Sequence, residues 1–196
     1  LKEGDHEMIG DRIEAFSYLS VAVITKGQIT VKNVNSSNLG SELNILKRIG
    51  CNLKIDENSI FLKAKKKLNS IKVKTGPFPN FATDNMPMLL AILTKVKGRS
   101  EIVENIFSNR FMAAPELIRM GADIKINNNK AIINGKENLS AANCISSDLR
   151  TTFSIILGAI GARGQSRVSR VYHGLRGYYN LEKKLKSLGV KIKTRN

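Results

Sequence analysis

Acidic residues are scarce in this chain: 16 Asp and Glu stand against 32 Lys and Arg, a formal charge of +16. Aromatic residues are scarcer, at 6% with no tryptophan. The two shortages bear on the same question from opposite sides. The positive balance attracts nucleic acid, anionic membrane or anionic small molecules. Single-stranded nucleic acid, however, stacks its bases on aromatic side chains. The basic run "KAKKKLNSIKVK" at 63–74 has none interleaved. In a chain rich in Lys, Asn and Ile, that run is a solvated surface, and a basic nucleic-acid-binding module is a secondary reading of the charge. Cysteine is nearly absent. Cys51 and Cys144 give neither a metal spacing nor a disulfide framework. Both adjoin apolar residues at expected strands, as buried thiols of a reducing cytoplasm do. No apolar run is long enough for a bilayer, and no basic-then-apolar leader points to secretion. A cytoplasmic location without membrane partners is therefore expected. The chain opens on Leu1 rather than Met, as a stretch from inside a longer protein does.

What the sequence does have is an ordinary globular balance, 42% hydrophobic and 24% charged, over 196 residues. It also repeats itself. An acid beside a cap-like position opens an apolar helix three times: "GDRIEAFSYLSVAVITKG", "ATDNMPMLLAILTKVKG" and "SSDLRTTFSIILGAIGARG". These runs stop at Gly27, Gly98 and Gly164, each after a basic residue. A short strand-like stretch follows each: "QITVKNV", "SEIVENI" and "SRVSRVY". A second, amphipathic helix then closes at "KRIGCNLKI", "IRMGADIKI" and "KSLGVKIKT". In the third unit Tyr178, Leu181, Leu185 and Leu188 carry its helical spacing. Gly50, Gly121 and Gly189 are expected just past the helix ends, where φ is positive. Alternating strands follow them, at Leu53 and Ile55, Ile124 and Ile126, and Val190 and Ile192.

"SIFLKA" and "KAIING" add a return strand to the first two units, and the third ends before one could form. Leading strands are expected in "LNSIKVKT" and "LSAANCISS", and none before the first unit. The period of about 70 residues exceeds that of solenoids. Each unit reads β-α-β-α-β-β, with boundaries at about 11–74, 75–147 and 148–196. The expected fold is α/β (α+β), one domain over 1–196, an inside-out α/β barrel of three βαβαββ repeats around a pseudo-threefold axis. Helices that are apolar on all sides lie inside.

One detail resists a purely structural account. Asp11, Asp84 and Asp148 serve as N-caps or near-caps. Arg150, two residues after Asp148, opposes the positive end of the helix dipole. Helix N-termini that converge on one rim make an anion site. Arg110, Arg150 and Arg176 all fall at turns near helix starts, on segments able to reach such a rim.

At "SNRFMAAPELIRMGADIKI", with "ATDNMP", "SSDLR" and "RVYHGLRGYYNLEKKLKSLG", the whole chain resembles the enolpyruvyl transferase family. "DRIEAFSYLSVAVITKG" favours the branch that uses UDP-N-acetylglucosamine over the shikimate-3-phosphate branch. The resemblance implies two similar domains, of which this chain is the one built mostly from the C-terminal part. The partner domain, absent here, carries a mobile loop with a reactive cysteine, so neither Cys51 nor Cys144 is assigned to catalysis. The implied reaction moves the enolpyruvyl group of phosphoenolpyruvate onto the sugar 3-hydroxyl, with no metal or organic cofactor. Asp84, in "ATD", matches the acid that contacts the sugar hydroxyl and acts as general base. Ile106, in "ENIF", matches a backbone contact to the nucleotide sugar. Arg110, Arg150 and Arg176 match arginines around phosphoenolpyruvate, where bidentate pairing favours guanidinium. Asp148 matches a second acid at the reaction centre, a proton relay or an arginine partner on closure. Two positions depart from the family pattern: Ala82 replaces a common proline, and Leu175 replaces a common acid beside Arg176. His173 is expected to be structural or to support a neighbour, and His6 is given no role.

Overall fold

The computed structural model describes residues 3–195, so Leu1 lies outside the described residues. Residues 3–11 form no helix or strand, and the first unit opens directly on α1 (Arg12–Ile24). It continues with β1 (Gln28–Lys32), α2 (Gly40–Ile49), β2 (Cys51–Asp56) and β3 (Ser59–Ala64). The second unit runs β4 (Lys72–Lys74), α3 (Met86–Leu93), β5 (Gly98–Val103), α4 (Ala114–Arg119), β6 (Asp123–Asn127) and β7 (Lys130–Gly135). In the third, the leading strand is split into β8 (Leu139–Ser140) and β9 (Asn143–Ile145). Then come α5 (Leu149–Gly161), β10 (Ala162–Arg163), β11 (Arg167–Ser169), α6 (Tyr172–Leu175) and α7 (Leu181–Ser187).

The first helix of each unit is the core. Every residue of α3 is buried, as are nearly all of α1 and most of α5, and the three pack on one another. Each fully buried Leu, Ile, Phe or Met there contributes about 1.5–3 kcal/mol. Most of the polar residues inside are hydrogen-bonded, whereas the buried Tyr18 hydroxyl of α1 has no partner among the described residues. Ser17 donates to Ile13 O at 2.8 Å and Ser20 to Phe16 O at 2.7 Å. Ser154 of α5 donates to Pro87 O of α3 at 2.6 Å, which ties two core helices together. Gly158 lets α5 approach α4: a Cβ there would stand 2.6 Å from Leu117 Cδ2.

The sheets lie outside and repeat one plan. Order β1-β3-β2 in the first unit matches β5-β7-β6 in the second, where β4 joins β5 in parallel. The parallel pairs β8–β10 and β9–β11 form the same leading contact in the third unit, broken into two pieces. Hairpins β2–β3 and β6–β7 are antiparallel in regular register, with Ile55 opposite Ile60 and Ile126 opposite Ala131.

Gly50, Gly121 and Gly189 adopt φ of 110°, 89° and 86°, as the helix-end pattern requires. Three details differ from expectation. No strand forms at Val190 and Ile192, because among the described residues no return strand pairs with them; both pack half-buried against the core instead. Tyr178 is buried but precedes α7, and Leu188, past its end, is 41% exposed. Asp84 sits in a 3-10 turn, Thr83–Asn85, and does not cap α3.

Candidate functional site

The heads of α3 and α5 open onto one cleft of about 350 Å³. Asp84, Phe107, Asn109, Arg110, Met112, Asp148, Leu149, Arg150 and Thr151 line it, and Asp11 at the head of α1 does not. Its charged centre is a carboxylate between two guanidiniums. Arg110 donates to Asp84 Oδ1 at 3.0 Å, and Arg150 donates to Asp84 Oδ2 at 3.2 Å. Asp84 is 40% exposed while both arginine side chains are 16% exposed. The cations are thus held in the wall and the acid faces the opening. Arg150 comes from the first turn of α5, so its partner is 66 residues away in sequence rather than on its own helix.

Asp148 caps α5, accepting the Arg150 N–H and the Thr151 N–H, each at 2.9 Å. Ser147 donates its hydroxyl at 3.0 Å. Burial pushes the Asp148 carboxyl up, but the hydrogen bonds from Thr151, Ser147 and Arg150 together outweigh it. The group is held below the ordinary carboxylate value. It forms no ion pair with an arginine among the described residues.

Arg110 has two further supports. Its Nε donates to Thr83 Oγ1 at 3.1 Å, and its guanidinium lies over the Phe107 ring at 4.5 Å. Ile106 is 49% exposed and outside the cleft lining, next in sequence to Phe107, which lines it; its N–H is bonded to Glu104 Oε1 at 2.8 Å. Arg176, at the end of α6, is exposed and outside the cleft lining. Neighbouring Gly177 brings that segment against Leu149, which does line the cleft. Arg176 forms no ion pair among the described residues, and Leu175 beside it, where an acid would offer one, is 51% exposed. His173 stacks on Tyr172 with ring centroids 4.3 Å apart, away from the cleft.

Ala82, where a proline was the alternative, donates its N–H to Glu42 Oε1 at 3.5 Å, a bond proline could not make. Both cysteines are buried and free, and neither lines the cleft. Burial pushes the Cys51 thiol up to about 11, and burial with Glu116 nearby does the same to Cys144. Among the described residues no three His, Cys, Asp or Glu side chains stand together as a metal site. No helix among them is long and apolar enough to cross a membrane.

Sequence reasoning passed over Thr83, Glu104, Phe107 and Tyr178. Thr83 lies inside the quoted "ATD", and Glu104 and Phe107 lie inside "ENIF", so adjacency was the available signal. Tyr178 shares a hydrogen bond with Ser17 of α1 at 2.9 Å and lies beside the Arg150 guanidinium. Burial raises its hydroxyl pKa against the opposing pull of Ser17 and Arg150.

A family model described as EPSP synthase (3-phosphoshikimate 1-carboxyvinyltransferase) matches residues 1–185. The UDP-N-acetylglucosamine 1-carboxyvinyltransferase of Pelagibacter ubique is 43% identical over 196 residues, covering 100% of this chain and 47% of that protein. The enzyme of the same name from Campylobacter jejuni (strain RM1221) is 44% identical over 188 residues, 96% of this chain and 45% of that protein. The chain therefore spans about half the length of the curated relatives it matches. The enolpyruvyl transferase NikO from Streptomyces tendae superimposes with a TM-score of 0.86 at 23% identity, over 96% of this chain and 45% of that one. EPSP synthase from Acinetobacter baumannii gives 0.71 at 17%, over 98% and 46%. At those identities the solved structures speak for the fold.

Proposed function

The chain belongs to the EPSP synthase-like family of enolpyruvyl transferases, and from that premise we propose that it supplies half of the active site of a UDP-N-acetylglucosamine 1-carboxyvinyltransferase. The observation that carries the proposal is the Asp84 carboxylate bracketed by Arg110 and Arg150 in the cleft. A carboxylate that takes a proton and guanidiniums that take an anion are the two requirements of the chemistry. The names of the relatives, at 40–44% identity, support the UDP-sugar acceptor over shikimate 3-phosphate.

In the proposed addition, the sugar 3-hydroxyl forms a C–O bond to C2 of phosphoenolpyruvate while Asp84 accepts its proton. C3 of the enolpyruvyl group takes up a proton, giving a tetrahedral adduct. Elimination then breaks the C2–O bond to phosphate, returns the C3 proton and releases inorganic phosphate. Arg110 and Arg150 bind the anionic donor bidentately. The anion displaces Asp84 from the arginines and so frees the acid for its proton. Arg176, exposed and unpaired at the rim, joins when the site closes. Asp148, held ionised by its cap, fixes the head of α5 and stands beside the reacting groups as a proton relay. At Ile106 the N–H is committed to Glu104, so its carbonyl is the backbone group offered to the nucleotide sugar.

The other half of the site comes from the missing N-terminal domain. Ile106, Phe107 and Met112, each about half exposed around the cleft, form the face it would cover and from which it would exclude water. The product would open peptidoglycan synthesis, as its first committed step. The test is phosphate release from phosphoenolpyruvate and UDP-N-acetylglucosamine. This chain alone is expected to give none, and addition of the N-terminal half is expected to restore release that Asp84→Ala abolishes. Turnover by the chain alone would refute the half-site proposal. Rescue with shikimate 3-phosphate in place of the UDP-sugar would refute the acceptor. A nucleic-acid module would instead bind single strands, with affinity collapsing between low and moderate salt.

A further inference from the structure

Glu104, the residue after β5, is only 4% exposed. A buried carboxylate is costly unless hydrogen bonds replace its water, and no cation pairs with it among the described residues. Its Oε1 accepts the Thr75 hydroxyl at 2.9 Å, the Ile106 N–H at 2.8 Å and the Phe107 N–H at 3.0 Å. Its Oε2 accepts the Thr83 hydroxyl at 3.0 Å. That last bond has a direction with consequences. A threonine hydroxyl has one proton. Thr83 gives its proton to Glu104, so only lone pairs remain to face Arg110, whose Nε donates to it at 3.1 Å. The same carboxylate fixes the backbone of Phe107, whose ring lies under the Arg110 guanidinium. Two of the three supports of Arg110 therefore trace to Glu104, and the third is Asp84.

We infer that Glu104 is a positioning residue: one buried carboxylate holds the 105–107 turn and, through the Thr83 hydroxyl, sets the plane of the Arg110 guanidinium. It fixes the acceptor-binding turn and the donor-binding arginine relative to each other, and keeps Arg110 in place after substrate has drawn Asp84 away. This role rests on the assignments of Ile106 and Arg110 proposed above.

The experiment uses the full-length protein that contains this chain, with Glu104→Gln, Thr83→Val, their double variant and Glu104→Ala. In Glu104→Gln the amide oxygen still serves Thr75 and the two N–H groups. The amide NH2 faces Thr83 and competes with Arg110 for its lone pairs. The expected result is a KM for phosphoenolpyruvate raised about tenfold in Glu104→Gln and in Thr83→Val, the scale of one charge-assisted hydrogen bond. The KM for the UDP-sugar stays within about twofold, and the double variant is no worse than either single one. Glu104→Ala, which frees the turn as well, raises both KM values. The second readout is the Arg110 Nε–H signal in a nitrogen–proton NMR spectrum, assigned with Arg110→Lys. It is expected to be sharp and slowly exchanging in the wild type, and lost in Glu104→Gln and Thr83→Val. A Glu104→Gln protein that keeps this signal, or in which both KM values move together or not at all, overturns the role. If the wild type turns over neither substrate, the proposed reaction falls, and the Nε–H signal still decides for or against positioning.

Discussion

The three core helices begin in two different ways. At α1 and α5 an aspartate one residue before the helix accepts two backbone N–H groups: Asp11 from Ile13 and Glu14, and Asp148 from Arg150 and Thr151. At α3 the corresponding Asp84 accepts none and is turned outward to two arginines. The difference has a local cause. Pro87 stands in the first turn of α3 and has no N–H to satisfy, so this helix head needs less from a cap. The short 3-10 turn before it carries Asp84 past the capping position. One repeated sequence feature thus caps a helix twice and is turned into the cleft once.

Substitutions at the three heads should separate along the same line. Asp84→Ala has the largest expected effect, a fall in kcat/KM of about 10²- to 10⁴-fold in the full-length protein. Its unfolding midpoint should barely change, as chemical denaturation followed by circular dichroism will show. Asp148→Ala should fall between the two classes, losing about 1 kcal/mol of stability with its cap and also losing turnover as the head of α5 loosens. Asp11→Ala should lose about the same stability in urea titration, with kcat and both KM values within about twofold of wild type. A loss of activity in Asp11→Ala comparable to Asp84→Ala would erase the distinction. The finest effect is in pH. The folded-state pKa of Asp148 is depressed, so the unfolded chain binds more protons near that pKa and stability rises with pH there. The stability gap between wild type and Asp148→Ala should be full above the ordinary carboxylate value. It should close as pH falls through the lower folded-state value.

What could be read in the sequence was what is written locally. The glycines that end second helices, the alternation in "CNLKI" and "ADIKI", and the unbroken apolar runs of the core helices each follow from neighbours a few residues apart. The strand expected at Val190 and Ile192 did not form because a strand is a pairing, and its alternation survives only as half-burial. At the site, types and motifs named Asp84, Arg110 and Arg150, but not that one acid would join both arginines from 26 and 66 residues away. Glu104, although it opens "ENIF", escaped for the same reason. Its partners Thr75 and Thr83 lie 29 and 21 residues off, and an acid after a strand looks like solvated surface until its neighbours are known. Arg176 shows the converse: a motif matched it to the arginines around phosphoenolpyruvate, and the fold leaves it exposed and outside the cleft lining.

The two larger sheets end on β1 and β2, and on β4 and β6. Each of these edge strands carries an exposed lysine: Lys32, Lys54, Lys72 with Lys74, and Lys125. On β2 and β6 that lysine immediately precedes an exposed isoleucine, Ile55 or Ile126, which would otherwise invite a neighbouring chain. Edge-to-edge association of two copies would bring rows of ammonium groups into register, at a cost that rises with each added pair. Part of the large positive charge is thus spacing between molecules, which keeps unpaired backbone on one copy from finding its like on another.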